Sequence, residues 1–319
     1  MPFKNEIDAI LVTHNLRFES LLNNGLSNIV VRALDAENNP VAVKYYPRDT
    51  FKREREQRFI ELAHDQYPTP EIVAVGEDHL VTRFVPGESG SSLFSQPQDH
   101  SATAGRTIGA HAARLHSMPL ADMHIGFLTL GDTSSAEYDS IPSSIRSNTQ
   151  FLRTLIDEQL RHLEAHDLPL QHIDAQSLSV TEDDECVPLH HDICPKNVLF
   201  ENGSVTTFLD FEYAMAGSRL FDIAKVHVLA KYLPYHTGGR ARFIDDDAYL
   251  TGFEGGYGRS FSFDELRPFF IYVLLNYILF WVSNPIADNN DRDMILPIHL
   301  SNLERIIAGQ DIVVPPYPA

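Results

Sequence analysis

The chain has 319 residues, of which 43% are hydrophobic and 22% charged, and its formal net charge is −19. That length accommodates two lobes with a substantial core, while the charge sets aside nucleic acid and anionic membrane surfaces as partners, because both demand a positive face. Residues 1–85 carry 10 Lys and Arg against 13 Asp and Glu, and the remainder 15 against 31, so the acidity lies in the later part. It either keeps the protein soluble or makes an acidic cleft for a cationic molecule. Cys186 and Cys194 suggest neither a disulfide framework nor a zinc site. The opening MPFKNEIDAI lacks an apolar run and a cleavage signal, so a cytoplasmic protein is expected.

In chain order, residues 6–22 place apolar side chains at helical intervals and predict a leading helix. A turn at Asn23-Asn24-Gly25, a strand over 29–34, a second turn and a strand over 41–46 predict a hairpin. Lys44 stands in that apolar second strand, either snorkelling to solvent or facing a carboxylate. The charged helix that follows, FKREREQRFIELAHDQ, offers Glu54 and Glu56 as partners. Pro68 and Pro70 end it, and strand, turn and strand lead to Pro86-Gly87. That dipeptide is the expected boundary between an N-terminal β-rich lobe, 1–85, and a larger, mainly helical lobe, 86–319, the fold class being α+β.

Helices are predicted over 102–116, 151–168, 226–232, 247–257, 266–282 and 295–307. The apolar run 269–282, broken by Asn276, falls short of the ~20 residues that span a bilayer. It reads as a core helix. His111, His116 and His162 lack the spacing of metal ligands and read as structural or exposed. Glu254, Asp245, Asp246 and Asp247 with Tyr257, Tyr272, Tyr277 and Trp281 would make a cation site if they met; at helical spacing, aromatic residues more often form core.

The chemistry concentrates between His190 and Asp222. There LHHDICPKNVLF, the turn Asn202-Gly203 and LDFEYAMAGSRLFDIA predict loop, strand, tight turn, strand and loop. Asp192 and Asn197 sit on the first loop, and the hairpin returns Asp210 beside them. Oxygen ligands so grouped suit a hard cation such as Mg²⁺.

The ordered set resembles the aminoglycoside phosphotransferase and choline kinase group of the protein-kinase-like fold. HHDICPKN is similar to its His-Gly-Asp-x4-Asn loop, LDFEYA to its Asp-Phe-Glu segment, and GSRLFDIA to the Gly-x4-Asp-Leu-Ala stretch; GLSN at 25–28, VAVK at 41–44, TRFVPG at 82–87 and ARLHSMP at 113–119 match in kind and order. The resemblance covers roughly 20–230 and implies a two-lobed kinase-like fold and transfer of the γ-phosphate of ATP, or another nucleoside triphosphate, with Mg²⁺, to a small-molecule hydroxyl. It implies that Lys44, paired with Glu56 or Glu54, holds phosphate oxygens. Gly25, Ser27 and Asn28 of the turn and Arg83, Phe84 and Val85 of the linker complete the nucleotide site. Asn197 and Asp210 bind metal, and Asp192 is the catalytic group, with His190 beside it. His190 and Asp222 organise the loop, Asp222 being alternatively a helix N-cap.

The group usually has Gly where His191 stands and often His where Cys194 stands, so Cys194 brings no charge to the transferred phosphate. Lys196 either compensates or is an exposed loop lysine. The acidic C-terminal part favours an amino-bearing or cationic acceptor, aminoglycoside-like or choline-like. Two other readings are a catalytically inactive nucleotide-binding scaffold and a protein kinase. The first runs against the presence of all four key residues, and the second against the lack of a recognisable activation segment after Asp210.

Overall fold

The computed structural model describes residues 3–24, 28–95, 100–119, 126–127, 136–137, 141–161, 185–283 and 289–318. Helix α1 (Lys4–Thr13) precedes β1 (Arg17–Asn24), β2 (Ile29–Leu34) and β3 (Pro40–Tyr45); α2 (Thr50–Ala63) then leads to β4 (Ile72–Val75) and β5 (His79–Arg83). The five strands form one antiparallel sheet in the order β1-β2-β3-β5-β4. Alternation decides its faces. Ile29, Val31, Ala33, Val41, Val43 and Tyr45 bury with Ile7, Ile10 and Leu11 of α1 in a small core. The period of two therefore turns Lys44 to the opposite face, toward α2.

The leading helix expected over 6–22 stops at Thr13, and its second half is a strand. Phe18, Leu21 and Leu22 imitate a helical period because β1 is an edge strand whose register against β2 shifts twice. Bulges break the alternation that identifies a strand, and all three side chains stay exposed.

After β5 come β6 (Glu88–Ser89), α3 (Gly90–Leu93), α4 (Ser101–His116), the short pair β7 (Gly126–Phe127) and β8 (Ala136–Glu137), and α5 (Ile141–Arg161), which starts earlier than expected. Next are β9 (Cys186–Leu189), the hairpin β10 (Val198–Glu201) and β11 (Ser204–Phe208), and β12 (Met215–Ser218). Asn202 and Gly203 turn the hairpin with φ of 53° and 77°, both left-handed as a type I′ turn requires. β6 joins the hairpin edge, and β9 pairs with β12, bracketing the loops that carry the polar residues. Helices α6 (Leu220–His236), α7 (Asp246–Tyr257), α8 (Phe263–Ser283) and α9 (Asn289–Ile307) complete the chain. α8 is long and apolar enough to cross a membrane, yet 67% of its most apolar window is buried inside the protein.

Helices α4 and α7 meet backbone to backbone. A Cβ on Gly109 would come 2.0 Å from the carbonyl oxygen of Phe253, and one on Gly256 would come 1.9 Å from that of Arg106. Alanine gains up to about 1 kcal/mol of helix propensity over glycine, but a contact with rigid backbone forces the helices apart. Gly109→Ala is therefore expected to lose about 1–3 kcal/mol net of packing, read as a lower denaturation midpoint; an unchanged midpoint would show that the helices separate without cost.

Candidate active site

Helix α2 chooses the partner of Lys44. Glu56, Phe59, Ile60 and Ala63 form its buried face at helical spacing. Glu54 lies off that face and pairs with Arg53. Lys44 Nζ sits 2.5 Å from Glu56 Oε2, 2.5 Å from Asp210 Oδ1 and 3.3 Å from Glu212 Oε2. The Tyr46 hydroxyl donates to the same Glu56 oxygen at 2.6 Å. Burial opposes the charge on Lys44, but Asp210 and Glu56 outweigh it and hold the amine well above its ordinary range.

Glu212, two residues past Asp210, is nearly as buried as the core and was not among the sequence candidates. It accepts from Lys52 at 3.1 Å and from the side-chain amide of Asn28. Burial pushes its carboxyl up, yet Lys44 and Lys52 bring it down to about 2. Asn28, just ahead of β2, is thus tied to the Asp-Phe-Glu segment. Gly25 and Ser27, expected beside it at the nucleotide, lie outside the described residues.

The loop 190–197 is held by backbone bonds that no sequence period reveals. Asp222 is fully buried in the first turn of α6, where Arg219 is the N-cap, so Asp222 is not the cap. Its carboxylate accepts from the backbone N–H of His190 at 2.9 Å and of His191 at 2.7 Å. His116 Nε2 lies 3.1 Å from it, and the Tyr257 hydroxyl meets the other nitrogen of that ring. His190 is also fully buried. Its Nδ1 accepts from Asp192 N–H at 3.2 Å, so Nε2 carries the proton and donates to Leu209 O at 2.9 Å. Both ring nitrogens are thus engaged by backbone, one of them that of Asp192.

Asp192 is gripped at both oxygens. Asn197 Nδ2 donates to Oδ2 at 2.8 Å and to the Asp192 carbonyl at 3.0 Å, while Lys225 Nζ stands 2.9 Å from Oδ1 and Lys196 3.6 Å from Oδ2. Burial pushes the carboxyl up, but Lys225 and Lys196 prevail and hold it well below the usual range. It is therefore ionised at neutral pH. Lys225 went unrecognised in the sequence, although a lysine three residues past Asp222 lies on the same helix face.

The backbone N–H of Leu209 donates to Asn197 O at 2.8 Å, which brings Asp210 next to Asn197. His191 and Asp210 both hold left-handed φ, at 64° and 68°, a conformation that costs a non-glycine residue and clusters at functional sites. Ligand oxygens of Glu56, Asp210 and Glu212 lie within 4.8 Å of one another. Three carboxylates there face two ammonium groups, those of Lys44 and Lys52. Burial pushes the Asp210 carboxyl up, Lys44 pulls it back and Glu212 and Glu56 push it further, which together raise it to about 7. These hard oxygen donors fit a divalent cation such as Mg²⁺, with Asp210 the most open of the three.

In the linker after β5, Arg83 pairs with Asp35 at 2.7 Å, the Phe84 ring lies under Arg32 and its N–H donates to Pro40 O, and Val85 follows half-buried. Asp245 caps α7, Asp246 pairs with Lys231, and Glu254 accepts from Phe261 N–H. Tyr272 and Trp281 are core, and Tyr277 stacks on His299. They do not assemble into a single cation site. His111 is half-buried, and His162 lies outside the described residues.

No curated protein sequence matches the chain. Among solved structures, it is similar to a Plasmodium vivax ethanolamine kinase (18% identity, 93% of this chain and 84% of that one, TM-score 0.61). It is also similar to a macrolide 2′-phosphotransferase from Brachybacterium faecium (13%, 94% and 98%, 0.59). A third is an aminoglycoside phosphotransferase in ternary complex with ADP and hygromycin B (15%, 94% and 97%, 0.64). These likenesses establish the α+β, protein-kinase-like fold. The sequence model of the phosphotransferase enzyme family (APH) matches residues 20–269. That match spans most of the sheet, Lys44, the 190–197 loop, the Asp-Phe-Glu segment and α6, so the chain belongs to the phosphotransferase enzyme family and is a small-molecule phosphotransferase.

Proposed function

We propose that the protein moves the γ-phosphate of ATP, with Mg²⁺, to a hydroxyl of a small molecule. The observation that carries this reading is one connected constellation: Lys44 bonded to Glu56 and Asp210, Leu209 to Asn197, and Asn197 to Asp192. In it, Lys44 holds phosphate oxygens, with the turn 25–28 and the linker 83–85 around the nucleotide and lobes 1–85 and 86–319 on its two sides. Asn197 and Asp210 hold the metal, which when bound neutralises phosphate charge. Asp192 orients the acceptor O–H and takes its proton. The acceptor oxygen bonds to the γ-phosphorus as the bond from that phosphorus to the bridging oxygen breaks, and ADP leaves. Because the transition state is loose, positioning dominates and an ionised carboxylate suffices.

An amino-bearing or cationic acceptor is the finer reading. It draws on the excess of 31 acidic over 15 basic residues beyond residue 85. The names of two aligned proteins, an ethanolamine kinase and an aminoglycoside phosphotransferase, point the same way. The test is ATP turnover with Mg²⁺ across a panel of aminoglycosides, choline-like amines, amino acids and neutral sugars. Turnover above the blank is expected with an amino-bearing member; turnover with neutral sugars alone would contradict the finer reading.

A further inference from the structure

We infer that Lys225 is a positioning residue for Asp192, supplying from α6 the close positive charge that the loop's own Lys196, at 3.6 Å, does not, and that Asp222 and Lys225 clamp the loop as one unit. The inference rests on the phosphotransfer reading above. Where the family often has His stands Cys194, buried and neutral, its thiol pushed up to about 12 by burial. Two lysines could replace the missing charge. Lys196 is 3.6 Å from Asp192 with its side chain 58% exposed, whereas Lys225 is 2.9 Å away and 19% exposed. Only the second distance is a hydrogen bond, and the more buried charge is less screened by water and salt. Geometry and environment both choose Lys225.

The grip has a consequence for the shape of the loop. A carboxylate turns broadly about its last torsion. With Lys225 on Oδ1 and Asn197 on Oδ2, that rotation is stopped. Lys225 also donates to His191 O at 2.7 Å, while Asp222 accepts from His191 N–H at 2.7 Å. Asp222 and Lys225, three apart on α6, share a helix face. One helical turn thus holds both backbone groups of His191, a histidine with φ of 64° where the family usually has glycine. Such a conformation persists only where the surroundings over-determine it. The clamp provides that and delivers the lysine charge to the neighbouring Asp192.

A lysine that only braced the loop would be replaceable by any donor to His191 O. Lys225→Gln keeps a donor and removes the charge, and Lys225→Arg keeps both. Phosphate transfer from Mg²⁺-ATP is measured with water or an acceptor from the panel, and melting points are taken with and without Mg²⁺-ADP. Lys225→Gln is expected to lower the melting point, leaving Asp192 without its closest counter-charge, but to keep the nucleotide-induced shift and to lose turnover about 10- to 100-fold, the scale of a charge-assisted hydrogen bond. Lys225→Arg recovers most of it. In an Asp192→Asn background, Lys225→Gln adds less than about 3-fold, because it acts through Asp192. Parent turnover in Lys225→Gln, or fully additive losses in the double variant, overturns the inference. Failure of the phosphotransfer reading is a separate result: the parent protein itself would then neither transfer phosphate nor shift its melting point with Mg²⁺-nucleotide.

Discussion

Asp192→Ala is expected to reduce phosphate transfer by roughly 10²–10⁴-fold, the range for a positioned general base. Nucleotide-induced stabilisation should survive, because the carboxylate touches Asn197, Lys196 and Lys225 but none of Lys44, Glu56 or Glu212. Both Asp192 oxygens are already engaged, so the group is presented to an acceptor in one orientation. Asp192→Asn separates shape from charge: it nearly preserves the volume, loses the basic oxygen, and should fall close to the alanine variant. An alanine variant that transfers phosphate at the parent rate would mean that another group orients the hydroxyl.

Lys44→Met is expected to damage both stability and catalysis. Lys44 is the cation shared by three carboxylates. Removing one partner of a buried ion pair costs about 3–5 kcal/mol, because the other charge stays behind unpaired. Here Asp210, already pushed up to about 7, can take a proton and soften the loss, so the lower end is expected. Loss of a preorganised charge beside the phosphates should reduce turnover by roughly 10²–10³-fold. Glu56→Gln, which leaves Asp210 and Glu212 on the lysine, should be milder in both measurements. If Lys44→Met retains the parent melting point and turnover, the lysine is a solvated surface group and the sheet-face argument is wrong.

How much of this was legible in the sequence depends on how local each cause is. The hairpin around Asn202-Gly203 was readable because its turn chemistry lies within two residues, and the Lys44 strand because its apolar run sits beside a charged helix. The choice of Glu56 over Glu54 needed only the helical period of Phe59, Ile60 and Ala63, once that face was known to be inward. The β9–β12 pair was not readable: CVPL carries a proline and MAGS three small residues, and their pairing depends on what the intervening loops do. The clamp of Asp222 on His190 and His191 joins residues more than thirty apart through backbone N–H groups, which leave no pattern in side-chain types. Glu212 and Lys225 had a visible signal, a charge inside an apolar stretch, but their partners exist only in three dimensions. The N-terminal misreading has the opposite origin, a local helical pattern overridden by strand pairing at a bulged edge.

The central claim is that one site binds Mg²⁺ and a nucleoside triphosphate between Lys44 and the Asn197–Asp210 pair. It is tested most directly by the melting point of the parent protein titrated with AMP-PNP in the presence and absence of Mg²⁺. A rise that grows with nucleotide concentration, requires Mg²⁺ and vanishes in Asp210→Ala is predicted, since a ligand that binds only the folded state stabilises it in proportion to the logarithm of its concentration. No shift with Mg²⁺ present, or an equal shift in Asp210→Ala, would contradict the account.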